Sequence, residues 1–86
     1  MTSALFSIFS AADPALLPHM TGLFAQDGLV PAQFHAERFG EEMHVDVEFD
    51  EIEASRADHF AEILRQLPLI SAVHLRLASL ALEDVA

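Results

Sequence analysis

Two short runs of alternating residues joined by Gly-Glu constrain this chain more than any other feature. From Met43 to Phe49 the odd positions are Met, Val, Val and Phe, and the even positions are His44, Asp46 and Glu48. A period of two is the mark of a strand with one face in a core and the other in water. Upstream, Phe34 and Ala36 alternate with Gln33, His35 and Glu37, and Gly40–Glu41 lies between the runs. A two-residue turn with Gly at its first central position closes a tight hairpin and fixes its register. Phe34 then opposes Val47 and Ala36 opposes Val45 on the inner face. On the outer face His35 opposes Asp46 and Glu37 opposes His44, so each imidazole meets a carboxylate across the strands. A slip of one residue would turn one strand's apolar set into water, which makes this register a strong expectation.

The rest of the chain supplies what such a hairpin needs to bury its inner face. Ala4–Ser10 reads as a first strand with Phe6 and Ile8 on one side and Leu5, Ser7 and Phe9 on the other. Both sides are largely apolar, as in a central strand. Asp13–Pro14 is a helix-start pair, an acceptor for unpaired amides followed by a residue with none to satisfy. A first helix runs from there to about Asp27, with Leu16, Met20, Leu23 and Phe24 at core spacing and Gly28 as its stop. Pro18 falls near its first turn and costs little there. Ser55 with Asp58 resembles a capping box, and Phe60, Ile63, Leu64 and Leu67 form the apolar face of a second helix. Pro68 ends it, and Val73, Leu75 and Leu77 alternate with His74 and Arg76 in a last strand. The order is βαββαβ. Two helices on one face of a four-stranded antiparallel sheet, the α+β ferredoxin-like plan, is the natural packing solution.

With 86 residues the sequence holds a single domain, residues 1–86, in which 78–86 form a C-terminal tail. Ser79–Ala86 fits a strand extension, one helical turn or a frayed end. Fourteen acidic residues against four Arg, and no Lys, give a net charge of −10. That charge repels phosphate backbones and anionic lipid surfaces, which argues against nucleic-acid and membrane partners. Cys is absent, so there are no disulfides, thiol nucleophiles or thiolate metal sites. Lys and Tyr are absent too, which removes Schiff-base chemistry and a tyrosyl acid. The apolar opening MTSALFSIFS has no basic n-region, and no run reaches the length of a membrane span. The expectation is a cytoplasmic domain without cofactors.

Asp13–Pro14–Ala15–Leu16–Leu17, then Gly22–Leu23–Phe24–Ala25 and Gly28, resembles the first helix of the ACT domain, as found in regulatory subunits of acetolactate synthase. Leu64, Leu67, Ile70 and Val73 are similar to that family's second helix and its step into the last strand. The resemblance implies an ACT-like fold, a homodimer packed side by side or back to back, and a regulatory role. It places a small-metabolite site at Asp13, Pro14, Leu16 and Leu17, where helix-start amides meet a carboxylate. Two positions depart from the pattern. Ala15 stands where the family has a helix-opening Gly, and Val30 where it frequently has Asn. Both changes remove features associated with binding a free amino acid.

The outer sheet face gathers the remaining polar chemistry: His35, Glu37, His44 and Asp46, with His74 on another strand. Two imidazoles and two carboxylates are a donor set for a divalent ion. The plainer reading is a solvated face whose pairs balance charge. A His beside a carboxylate is also an adequate base, so a cofactor-free enzyme using His35 or His44 is one alternative. The inner face, however, offers no polar partner for a catalytic pocket. His59, beside Asp58, and His19 read as surface residues. Leu5 and Phe9 form an apolar stripe on the outer face, and Phe39 too lies outside the inner register. A partner subunit covering that stripe is the simplest account. The favoured function is a stand-alone regulatory module acting as a homodimer, sensing an amino acid or related metabolite or regulating a separate enzyme. The alternatives are the small enzyme and a ligand-free interaction domain.

Overall fold

A computed structural model describes residues 2–79 of the chain. Six elements follow in order: β1 (Thr2–Ala11), α1 (Leu16–Gln26), β2 (Gln33–Phe39), β3 (Glu42–Ile52), α2 (Ala54–Arg65) and β4 (Ile70–Ser79). The strands form one antiparallel sheet in the order β2-β3-β1-β4, with β1 central. This is the βαββαβ plan expected from the residues, with both helices on one face.

The hairpin register is the expected one throughout. Phe34 pairs with Val47, His35 with Asp46, Ala36 with Val45 and Glu37 with His44. Gly40 takes φ of 63°, and among the described residues none other than Gly has a positive φ. A single left-handed residue at the first central position is what a type II′ turn requires. Its twist suits the flanking strands.

Burial follows the alternation. Ala4, Phe6 and Ile8 of β1 and Val45, Val47 and Phe49 of β3 are buried against the helices. Four phenylalanines knit the layers together. Phe6 meets Phe49 and Phe60 edge-on at 5.8 and 6.0 Å, and Phe24 lies 5.5 Å from Phe49 and 5.0 Å from Phe60. Burying each such ring contributes about 1.5–3 kcal/mol, which matters in a domain with a small core. The end of α1 is closed by Gly28 at φ 69°. Its amide donates to the Ala25 carbonyl at 3.1 Å, and the Leu29 amide donates to that of Phe24 at 2.8 Å. These are the two bonds of a Schellman motif.

Several local expectations change. Ser55 does not cap α2, because the chain leaves the buried Ile52 and turns at once into helix. Glu53 is the extended residue before it (φ −72°, ψ 138°), and no side chain caps the first turn. The buried face of α2 is Ala57, Phe60, Ala61 and Leu64, whereas Ile63 and Leu67 are half-buried at its margin. Leu23 likewise sits at the margin of α1. Strand β4 pairs through Ser79, opposite Thr2; the rest of the expected 78–86 tail, residues 80–86, lies outside the described part.

Candidate functional site

The helices cover β4, β1 and β3 and stop short of β2. Phe34 is only half-buried, and Ala36 is exposed although it sits on the helix-bearing face. A seam therefore runs between α1 and the inner face of edge strand β2. It holds two open clefts. One, of about 490 Å³, is apolar and lined by Phe24, Leu29, Val30 and Phe34 among others. The other, of about 350 Å³, lies at the start of α1 and is lined by Asp13, Pro14, Leu17, Ala36, Arg38 and Met43, with Ala12 and Glu37.

Three of the four residues expected at a ligand site therefore meet at one cleft. Leu16 does not join them: at 3% exposure its side chain belongs to the core. The local geometry explains the split. Asp13 and Pro14 precede the helix, which starts at Leu16, and one residue of helical rotation separates Leu16, facing the sheet, from Leu17, facing β2. Asp13 also uses up the helix start. Its Oδ1 accepts the Ala15 amide at 2.9 Å, and its backbone carbonyl accepts the Leu16 amide at 3.0 Å. The first two donors that would meet an anion are held by the chain's own acidic residue.

Arg38 is the cleft residue that pattern reading passed over. Its backbone pairs with Met43, an inner-face residue, so the inner row of β2 reads Phe34, Ala36, Arg38. A charged residue at a position the period assigns to the apolar face is the clue that was available. Its Nε donates to the Gly40 carbonyl at 2.7 Å, which holds the guanidinium at the cleft. Among the described residues it forms no ion pair.

The outer face of the sheet is arranged differently from expectation. His35 and Glu37 pair at 3.2 Å and His44 and Asp46 at 3.1 Å, so each imidazole meets the carboxylate two residues along its own strand. The cause is Phe9, directly opposite His44 on β1. The two rings stack at 4.6 Å and 3°, drawing His44 away from Glu37 on β2. Ser7 on β1 donates to Asp46 Oδ1 at 3.2 Å and pulls the same way. His44 Nε2 is within ion-pair distance of Asp46 but off the hydrogen-bonding direction, and this buried atom has no hydrogen-bond partner. His74 meets the edge of Phe9 at 5.8 Å. Phe9 is thus flanked by two imidazoles and is 39% exposed, rather than part of a bare apolar stripe. Among the described residues no three metal-ligating side chains converge. His19 and His59 are exposed on the helices, as expected.

A βαββαβ chain with its four-stranded antiparallel sheet and two helices is the ferredoxin-like architecture shared by ACT domains. The ACT-like domain family matches residues 1–82, and the chain belongs to it. Solved structures agree on the fold at low identity. The crystal structure of the ACT domain from GTP pyrophosphokinase of Chlorobium tepidum superposes with a TM-score of 0.74 at 9% identity, covering 86% of this chain and 96% of that one. Its solution structure gives 0.73 at 9% identity, with 86% and 84% covered. The solution structure of the C-terminal domain of the MgtC protein from Mycobacterium tuberculosis gives 0.71 at 9% identity, covering 94% and 92%. No curated protein matches the chain. ACT domains are typically regulatory, ligand-binding modules rather than catalysts. No described helix is long and apolar enough to cross a membrane.

Proposed function

We propose that this protein is a cytoplasmic regulatory module that works as a homodimer and binds a small metabolite in the seam between α1 and β2. The observation that carries this reading is the uncovered inner face of β2: Phe34 half-buried, Ala36 exposed and two clefts beside them. A free edge strand with apolar groups along it is a pairing surface. On the opposite edge, Arg65 Nη2 already donates to the Val73 carbonyl of β4 at 3.0 Å, which occupies that one position. Strand β2 carries no Pro or Lys to block pairing.

Charge selects one antiparallel register for β2 against a second copy. Centring the pair on Ala36 sets His35 opposite the partner's Glu37, and Arg38 opposite the partner's Phe34. A shift of two residues either way sets His35 against itself or Glu37 against itself, the latter repulsive. In the favoured register the apolar cleft of each protomer lies near the Arg38 cleft of its partner, so dimerisation would close both.

The test is a thermal-shift panel of the twenty amino acids with aromatic and branched metabolites. A ligand at one hundred times its Kd stabilises the fold by about 2.7 kcal/mol, and each kcal/mol moves the midpoint of a domain this size by about 4–8 °C. A selective rise, lost on replacing Leu17 with Asp, is the expected result. A flat panel would contradict the ligand-binding reading and favour a module that acts by protein contacts alone.

A further inference from the structure

We propose that Arg38 is the carboxylate anchor of the α1–β2 cleft, and that the ligand is a small monocarboxylate with an apolar body. This rests on the reading of the seam as a ligand site and names the chemistry that the site selects.

The inference follows from how the chain distributes its few cations. Four arginines stand against fourteen acidic residues, so an anion approaching this protein is repelled overall and needs a local cation. Two arginines line clefts. Arg65 is committed: Nη1 donates to Glu62 Oε1 at 2.8 Å and Nη2 to the Val73 carbonyl at 3.0 Å. Arg38 spends only Nε, on the Gly40 carbonyl at 2.7 Å. That bond fixes the plane of the guanidinium and leaves its two terminal nitrogens for an incoming group. Two parallel donors in a plane match the two oxygens of a carboxylate.

The usual alternative, anion binding by the amides at the start of α1, is pre-empted because Asp13 accepts the Ala15 and Leu16 amides itself. Asp13 and Arg38 line the same cleft and form no ion pair with each other. The remaining walls, Pro14, Leu17, Ala36 and Met43, are apolar. A cleft of about 350 Å³ with one fork of donors and an aliphatic lining suits a carboxylate whose body is a branched or aromatic side chain. Asp13 at the rim would favour an added ammonium group over a second carboxylate.

The experiment is a methyl NMR titration of the full chain with leucine, phenylalanine, their 2-oxo acids, and leucinamide and phenylalaninamide. The Met43 and Leu17 methyls report the cleft, and the Phe6-facing core methyls report the fold. The expected result is that carboxylates shift Met43 and Leu17 while the matched amides do not. Arg38→Gln should weaken carboxylate binding by about ten- to a hundredfold, the span of charge-assisted hydrogen bonds, with core shifts unchanged. Arg38→Lys keeps the charge but loses the fork and should fall between the two. If amides bind as well as carboxylates, or if Arg38→Gln binds like the parent, the anchor assignment is overturned while the cleft remains a ligand site. If no probe moves Met43 or Leu17, both readings are overturned.

Discussion

Asp13 shows how one side chain can settle what a site does. By accepting the Ala15 amide at 2.9 Å it stabilises the entry to α1 and removes that amide from ligand chemistry. Asp13→Ala should lower stability by about 0.5–2 kcal/mol, the usual worth of such a cap, read as a fall in the urea midpoint. Asp13→Asn, which keeps an acceptor, should recover most of the loss. That Asp13 would satisfy helix-start donors was legible in the sequence, since an acidic residue before Pro has few other local uses. The role of Arg38 was also present in the sequence, as a charge at an inner position of an alternating strand. The imidazole partners were not legible. Period and register place His44 between Glu37 and Phe9, but only the competition between ring stacking and charge pairing decides which neighbour it meets.

At the scale of elements, the glycines separate backbone need from side-chain space. Gly28 closes α1 at φ 69°, where an added Cβ meets no atom yet the backbone itself is unfavourable. Gly28→Ala should cost about 1–2 kcal/mol. Gly22, inside α1 with nothing within 4 Å of a built Cβ, has no such need. Gly22→Ala should therefore stabilise the helix by about 0.5–1 kcal/mol. Opposite shifts in the thermal midpoint of the two variants would confirm the contrast; shifts of the same sign would contradict it. The hairpin was readable residue by residue because a two-residue turn leaves one register that keeps Val45 and Val47 inside. The start of α2 was not, since Ser55 and Asp58 mimic a cap while the buried Ile52 sets the helix two residues earlier than that cap allows. Phe24 links the helices to the sheet through Phe34, Phe49 and Phe60. Phe24→Ala should cost about 3–5 kcal/mol, enough to leave much of a marginal domain unfolded at 37 °C in circular dichroism.

For the whole molecule, the fold was legible because periods of two and of 3.6 alternate cleanly along the chain and few layer plans accept βαββαβ. What periodicity could not show is that the helices leave β2 uncovered, because coverage depends on where two helices settle over four strands. That uncovered edge is what joins ligand and dimer into one account. Replacing His35 with Glu would set like charges against the partner's Glu37 and should shift the protein toward monomer in sedimentation at tens of micromolar. The same change at the exposed His59 should leave the mass unaltered. The most direct test is amide hydrogen exchange along β2 as the protein is diluted. The account predicts that Gln33–Phe39 is protected at high concentration and loses protection on dilution, while β1 and β3 stay protected. If the outward amides of β2 exchange freely at every concentration and the mass remains 9.4 kDa, the edge is not an interface and the central claim fails.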